Sequence, residues 1–364
     1  MSYEIHANYE QTFLLPPSLD DWVAQDHPAR FVREFVDSLD LSALGFNFRE
    51  SIDGRPNYSA ELLSKIVIYG SLERIRSTRK LEKMCYNDVG TIWLTGMERP
   101  DHNTIDRFLR HNKCAIGNLF SESVRLAAGM GLIGLVLQAV DGTKIAADVV
   151  QDENDRHLLT EMIAQAEENF GETPQESVAD AGYCSGEELA RAEEAGYEVL
   201  VNLPNNSSTK FGHIAEQFDK SNFTYDPETD TYTCPKGGTL VFQAYCQKPK
   251  QRYVSKRYRC KDYKGCPFRR QCSKDRRGRA VSRPFYEDKI IKQREKQAIP
   301  QNQQKLLRRK TIVEPSFGII KRIMGFRRFT VRGLQNVQAQ WSLVCMAFNL
   351  RKVHRYWVFA NQIP

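Results

Sequence analysis

The chain lacks an apolar run long enough to cross a bilayer, and it lacks the start of a secretory signal peptide. Its longest apolar stretch, Leu126 to Val140, has about 15 residues and is interrupted by three glycines, whereas a spanning helix needs about 20. Met1 is not followed by a basic region and an apolar core. We therefore expect a cytoplasmic protein, not a secreted or membrane-embedded one.

Acidic residues are almost missing from the C-terminal part, where Glu314 is the only one after Glu295. From Cys246 to Lys310 there are 23 lysines and arginines against five acidic residues, a surplus of 18 positive charges. Because the whole chain carries +7, the rest of it carries −11. Tyrosines and phenylalanines interleave with the basic residues. This pattern is typical of a nucleic-acid-binding surface, although a solvated cationic face has the same composition.

With 364 residues, of which 41% are hydrophobic, the chain can bury one large core or two smaller ones. Residues 1–125 show helical patterning. Ser59 is a predicted N-cap for "AELLSKIVIYGSLERI", and further helices follow Ser77 and Asn103. The arginines of the "RSTR" turn suit a helix-turn-helix contact with DNA, but an ordinary helical bundle gives the same pattern.

From Gly134 on, strands and helices alternate. "LVLQAVDGTK" predicts a buried strand that ends at Asp141, and "ESVADAGYCS" predicts one that ends at Asp180. A helix from Arg156 to Phe170 lies between them. "YEVLVNLP" predicts a third strand. Strand–helix–strand units of this length are parallel, so both aspartates are expected at the carboxyl ends of strands.

The caps of these helices are readable from the sequence. For the helix from Arg156 to Phe170, the expected N-cap is Asn154 or Asp155, and Gly171 is expected to end the helix. Ser185 and Glu188 form a predicted capping box for the next helix.

Residues 205–300 show little sustained periodicity and are predicted to be an insertion. Helical spacing returns in "KLLRRKTIVEPSFGIIKRIMGF". Pro315 places Glu314 at a helix start or a kink. The tail "QAQWSLVCMAFNLRKVHRY" predicts an amphipathic helix that closes the core.

Asp141, Asp180 and Glu314 can meet only if the late helix packs against the early strands. Each one alone has a common structural role as a turn residue or helix cap. Three carboxylates brought together repel one another unless a cation neutralises them. Oxygen ligands select hard ions, so Mg²⁺ or Mn²⁺ is the expected cofactor.

These stretches also resemble a known family. "VDGTK", "ADAGYCS" and "VEPSFGIIKRIMGFRRF", with the distal "NLRK", resemble the DDE transposases of bacterial insertion sequences, in the branch with a cysteine-rich insertion before the catalytic glutamate. "GRPNYSAELLSKIVIYGSLERIRSTRKLEKMCYNDVGTIWLTG" with "PDHNTIDRF" resembles their N-terminal helical domain. The likeness runs from Gly54 to Lys352. It implies an α/β fold with an RNase H-like mixed sheet and flanking helices, preceded by an all-helical domain and interrupted by a basic cysteine-rich insertion.

The resemblance assigns roles to residues. It makes Asp141, Asp180 and Glu314 the catalytic carboxylates that hold two metal ions on the scissile phosphate. It places basic side chains around the DNA, and we expect these to be Lys310, Lys321, Arg322, Arg327 and Arg328. Lys321, seven residues after Glu314, is expected on the same helix face. The family pattern also has a tyrosine and an arginine before the glutamate, where this chain has Leu307 and Lys310.

The same resemblance predicts the organisation and the partners. A DNA-binding helical domain spans residues 1–125, the catalytic domain comprises 126–204 and 301–355, and the insertion spans 205–300. The partner is double-stranded DNA, as terminal inverted repeats and as target, bound by a homo-oligomer that associates with the nucleoid.

Nine cysteines, an odd number, favour a metal or free thiols over disulfides in a reducing compartment. Cys260, Cys266 and Cys272 lie at intervals of six. The resemblance implies a denser array, with a further cysteine where this chain has Tyr263, so a tetrathiolate Zn²⁺ site would need Cys234, or as the less favoured choice Cys246, as its fourth ligand. Free, partly buried thiols are the alternative.

The expected function is that of a transposase that cuts DNA and transfers strands at insertion-sequence ends. The alternatives are a non-catalytic DNA-binding protein derived from a transposase and a metal-dependent nuclease. Only 38 residues separate Asp141 from Asp180, and an RNase H-like core needs two more strands and a helix there. We therefore expect a missing strand and impaired strand transfer.

Overall fold

The computed structural model describes residues 18–47, 57–132, 138–140, 157–203, 215–247 and 254–361, and of 138–140, 310–314 and 361 it describes only the backbone. The architecture is mixed α/β, as predicted, with a helical N-terminal region followed by a parallel and an antiparallel sheet. Within these residues, no helix has the length and apolar character needed to cross a membrane.

The helices of the N-terminal region are α1 (Pro28–Asp37), α2 (Ala60–Leu72), α3 (Thr78–Asn87), α4 (Val89–Thr95), α5 (His102–His111) and α6 (Lys113–Gly129). The Ser59 hydroxyl accepts a hydrogen bond from the Leu62 N–H at 3.1 Å, which confirms the predicted cap of α2. The predicted start of α5 after Asn103 is two residues late. The Asp101 carboxylate accepts from the Thr104 N–H at 2.6 Å and so starts the helix earlier.

The C-terminal helix α12 (Leu334–Asn361) closes the core of these N-terminal helices. It packs mainly on α6 and α2, and its inward side chains are Trp341, Val344, Met346, Ala347 and Leu350, with Leu343 partly buried. This confirms the predicted role of the tail. Since each large apolar side chain contributes about 1.5–3 kcal/mol on burial, the two ends of the chain stabilise one another. The predicted domain boundaries stay a prediction.

The parallel sheet contains β1 (Gln138–Val140), β2 (Ser177–Ala179) and β3 (Val199–Val201), in the order β1-β2-β3. Val140 pairs with Ala179, and Ala179 with Val201, so the three strands end at one level. Helices α7 (Leu159–Phe170) and α8 (Gly186–Glu194) follow β1 and β2 along the chain. The predicted parallel arrangement is confirmed.

A buried carboxylate joins the two crossover helices. The Ser185 hydroxyl accepts from the Glu188 N–H at 3.1 Å, which is half of the predicted capping box. The other half of that prediction, in which the Glu188 side chain would accept from the Ser185 N–H, is wrong. The fully buried Glu188 side chain instead accepts from the N–H and the hydroxyl of Thr160, both at 3.0 Å. Glu188 therefore caps the first turn of α7, and Arg191 balances its charge at 3.0 Å.

Helix α7 starts at Leu159, three residues later than predicted, and Gly171 ends it with φ at 80°, as predicted. The predicted caps Asn154 and Asp155 lie outside the described residues.

The region predicted as an insertion without regular periodicity contains an antiparallel sheet. Its elements are β4 (Thr224–Asp226), β5 (Thr231–Thr233), β6 (Thr239–Cys246), β7 (Ser255–Cys260), the short helix α9 (Arg269–Cys272) and β8 (Ala280–Arg283). The strands pair in chain order around a core of Phe223, Tyr232, Leu240, Tyr258 and Val281. Three of these strands have only three or four residues, too few for a period-two signal in the sequence.

Helix α10 (Glu287–Ala298) and helix α11 (Pro300–Gly318) return the chain to the parallel sheet. Helix α10 lies against β3 and α8. A Cβ at Gly186 would be 2.5 Å from the Tyr286 Cβ, so only glycine permits this approach.

Asp230 organises the antiparallel sheet from a left-handed turn position with φ at 50°. Its carboxylate accepts from the hydroxyls of Tyr225 and Tyr258, both at 2.6 Å, and lies 3.0 Å from the Lys256 ammonium. These hydrogen bonds lower the pKa of Asp230 to about 2. The ionised form therefore contributes stability above its unfolded pKa of about 3.9, and that contribution is lost as pH falls through 2.

We predict that Asp230→Asn lowers the melting temperature at pH 7 and that the difference from the native chain narrows below pH 3. Asparagine tolerates the left-handed conformation, so the substitution removes mainly the charge. Melting curves at pH 7, 4 and 2.5 measure the effect, with Glu228→Gln in the same turn as control. A deficit independent of pH would contradict the role of the carboxylate charge.

Candidate active site

The carboxyl edge of the parallel sheet is where the sequence places two of its three carboxylates. β1 ends at Val140 and β2 at Ala179, and these two residues are paired. Asp180 directly follows β2. Asp141 is the next residue after Val140, but it lies outside the described residues.

Asp180 has the capping role that the sequence allowed. Its Oδ1 accepts the Gly182 N–H at 2.7 Å and so caps the short 3-10 helix Ala181–Tyr183. The side chain is partly exposed. A carboxylate has about four lone-pair positions, so the cap leaves capacity for a cation.

Helix α11 packs against β1, β2 and β3. The three carboxylates can meet only if a late helix packs against the early strands, and α11 makes this contact. The Lys305 ammonium lies 2.6 Å from the Glu176 carboxylate, which directly precedes β2. One end of α11 is thus fixed at the amino end of β2.

Glu314 lies inside α11 and not at a helix start, so that part of the prediction is wrong. Pro315 also stands within the helix. The helix tolerates it and passes into a π-helical turn, Ile319–Ile323, in which the Met324 N–H donates to the Ile319 carbonyl at 2.9 Å. The side chain of Glu314 lies outside the described part. Lys321 stands in the wider π turn, so its seven-residue spacing alone does not decide whether it shares a face with Glu314, and its place there stays a prediction.

Arg76 fixes the end of this π turn. Its Nη2 donates to the Met324 carbonyl at 2.7 Å, and its guanidinium lies 5.1 Å from the centre of the Phe326 ring. Met324 and Phe326 are fully buried, and burial lowers the pKa of Arg76. The turn between α2 and α3 is therefore attached to the segment that continues from Glu314.

Nothing in the sequence indicates this contact. The arginines of the α2–α3 turn suited either a DNA contact or an ordinary helical bundle, and the spacing of Arg76 does not point to a partner 248 residues away.

Four of the basic residues predicted to bind DNA are exposed and follow α11 closely: Lys321, Arg322, Arg327 and Arg328. None of them forms an ion pair with another described residue. The side chain of Lys310 lies outside the described part. These four exposed cations form a basic segment that begins just after α11, the helix that contains Glu314.

The basic charge of residues 246–310 is partly neutralised within the protein. Lys289 and Lys292 pair with Glu193, and Lys296 pairs with Glu198 at 2.7 Å. These are contacts from α10 to α8 and to the start of β3. Part of the cationic surplus therefore holds α10 on the parallel sheet and is not a free cationic surface.

The four cysteines proposed for zinc lie near one another, and Cys234, Cys260 and Cys272 pack against the core of the antiparallel sheet. Burial raises the pKa of Cys272 to about 11, and the nearby thiols of Cys234, Cys266 and Cys260 add to the rise. The Cys234 Sγ accepts the Gly238 N–H at 3.2 Å, a contact that suits a thiolate ligand. As they stand, no three histidine, cysteine or acidic side chains of the described residues are close enough together to hold a metal ion.

We predict that Arg76→Ala destabilises the protein by about 2 kcal/mol, because a charge-assisted hydrogen bond and a cation–π contact are lost together. Arg79→Ala, in the same turn, is the matched control. Arg79 is exposed and has no partner among the described residues, so its loss should cost less than about 0.5 kcal/mol. Equal denaturation midpoints for the two variants would refute the anchoring role.

Two family models match the chain. A transposase domain model (DUF772) covers residues 17–111, from before α1 to the end of α5. A transposase DDE domain model covers residues 233–354, which include Glu314. No curated protein and no solved structure gives a significant match. The helical region, the mixed α/β architecture and these two models agree, and the chain belongs to the DDE transposases of insertion-sequence type.

Proposed function

We propose that this transposase performs metal-dependent DNA cleavage and strand transfer at the ends of its own element, with Asp141, Asp180 and Glu314 as its catalytic carboxylates. One observation carries the proposal. Helix α11, which contains Glu314, packs across all three strands of the parallel sheet, next to the strand ends that precede the two aspartates.

The lengths of helix and strand support this arrangement. Glu314 is nine residues beyond Lys305, which is about 13 Å along a helix. Asp180 is four residues beyond Glu176, which is about 13 Å along a strand. Since Lys305 and Glu176 form an ion pair, a helix that ran along β2 in the same direction as the strand would bring Glu314 level with Asp180.

Asp141 fits the same edge. It is one residue, about 3.8 Å between Cα atoms, beyond Val140, which pairs with Ala179. Neighbouring strands are about 4.8 Å apart, so two aspartates that continued these strands in register would stand side by side. Their mutual repulsion favours a divalent cation between them.

The donor set consists of carboxylate oxygens only and so fits Mg²⁺ or Mn²⁺. When bound, such ions supply an activated water or 3′-hydroxyl and stabilise the leaving oxygen. The chain itself supplies the ligands and the rigid edge that spaces them. It also supplies the cations Lys310, Lys321, Arg322, Arg327 and Arg328, which hold the DNA phosphates beside the site.

The partner in this proposal is double-stranded DNA, as terminal repeats and as target, bound by a homo-oligomer. Residues 1–125 form the DNA-binding domain, residues 126–204 and 301–355 the catalytic domain, and residues 205–300 the insertion. For the insertion, the proposal is a structural Zn²⁺ on Cys234, Cys260, Cys266 and Cys272, and these thiols, which stand too far apart to hold a metal ion, would have to draw together on binding. The zinc content of the purified protein, with free thiols as the alternative, tests this assignment.

The parallel sheet favours a second candidate function, which is DNA binding with weak or no strand transfer. Among the described strands β1 is an edge strand, and α7 and β2 occupy much of the 38-residue interval between the aspartates. The short interval leaves too little chain for the two further strands of an RNase H-like core. Insertion of the corresponding segment from a related transposase should raise strand transfer, and robust transposition by the native chain would contradict impairment.

We predict that Asp141→Asn, Asp180→Asn and Glu314→Gln each abolish Mg²⁺-dependent cleavage of a supercoiled plasmid that carries the element ends. DNA affinity should stay within a few-fold, because lysines and arginines supply it. Glu172→Gln, which changes an exposed carboxylate and leaves the Lys305–Glu176 ion pair intact, is the control and should retain cleavage. Cleavage by any one of the three carboxylate variants would rule out this assignment.

A further inference from the structure

Three arginines line a cavity of about 340 Å³ on the helical region, far along the chain from the three carboxylates. Arg74 follows the end of α2, and Arg351 and Arg355 belong to α12. Glu73 is the one acidic residue among the lining residues. If the histidine in the lining is counted as neutral, the lining residues carry a net charge of +2.

The charges of Arg74 and Arg355 act on Arg351, and the Glu73 carboxylate opposes them only in part. Within the described residues, none of the three arginines forms an ion pair. Arg351 donates only to the Leu72 carbonyl, at 3.3 Å. Burial lowers the pKa of Arg351, and the charges of Arg74 and Arg355 lower it further against the opposing effect of Glu73. An anion in the cavity would remove this repulsion.

The backbone of Arg74 adopts a strained, left-handed conformation. Helix α2 ends in a Schellman motif, in which the Ile75 N–H donates to the Gly70 carbonyl at 2.7 Å and the Arg74 N–H to the Ser71 carbonyl at 3.2 Å. Arg74 occupies the left-handed position of this motif, with φ at 65°. Glycine is the usual residue there, and another residue costs about 1 kcal/mol.

The helix cap itself has no need of an arginine at position 74. Its hydrogen bonds come from the backbone, and glycine would form them without strain. Arg351 has a structural role, because it satisfies a carbonyl at the end of α2. Arg74 and Arg355 are exposed and have no such role.

We infer that Arg74, Arg351 and Arg355 form a binding site for one phosphate group, taken from the backbone of bound DNA. Guanidinium groups bind phosphate through paired, charge-assisted hydrogen bonds. Arg74 lies two residues before Arg76 in the α2–α3 turn, so a duplex that contacts this turn passes the cavity. The inference rests on DNA as the partner and not on the metal-dependent chemistry.

The test uses the full chain with Arg74→Gly, Arg355→Ala and the double substitution. Arg74→Gly should raise the melting temperature, since it relieves the strained position, and at the same time weaken DNA binding. For a duplex of arbitrary sequence, the slope of log K against log salt should become shallower by about 0.9 in the double variant, as expected for one lost phosphate contact.

Met97→Gly is the matched control. Met97 is exposed and also has a left-handed backbone, with φ at 72°. This substitution should raise the melting temperature and leave the salt slope unchanged.

A second arm uses inorganic phosphate in place of DNA. At constant ionic strength, phosphate but not chloride should raise the melting temperature of the native chain and not that of the double variant. A phosphate effect with an unchanged salt slope would overturn DNA as the source of the phosphate. No phosphate effect and no change in slope would overturn the site itself. If the native chain bound no duplex at all, the proposed function would fail, while the phosphate arm would still test the cavity.

Discussion

The packing of helix α11 across the parallel sheet is the contact on which the proposed active site depends. The helix starts more than 95 residues after β3, and no local interaction brings it there. The Lys305–Glu176 ion pair fixes it at the amino end of β2, and α10, held by salt bridges to Glu193 and Glu198, leads the chain into it. Without this packing, nothing would bring Glu314 to the strands that precede the two aspartates.

A second constraint joins the ends of the chain. Helix α12 shares its core with α2 and α6, and Arg76 attaches the α2–α3 turn to the segment after the π turn. A displacement of the helical region can therefore reach the helix that contains Glu314 through one partly buried arginine, Arg76. The phosphate site proposed around Arg74 lies on that same region, so duplex binding and positioning of Glu314 involve connected parts of one structure.

Local features were predictable from the sequence because they depend on near neighbours. The cap at Ser59, the stop at Gly171, the parallel strands before the aspartates and the inward side of α12 all follow from short-range patterns. The start of α7 was not predictable, since its cap is Glu188, a residue on another helix. The antiparallel sheet was missed because most of its strands are short. The partner of Arg76 was missed because it is remote in sequence.

Iron-promoted cleavage of the polypeptide tests the convergence of the three carboxylates most directly. Fe²⁺ replaces Mg²⁺ at oxygen-ligand sites, and with ascorbate and peroxide it cuts the protein chain close to the bound ion. We expect cuts near Asp141, Asp180 and Glu314 together, suppressed by excess Mg²⁺, which would not protect a thiolate site. Cuts confined to one of these segments, or cuts that Mg²⁺ leaves unchanged, would contradict the convergence.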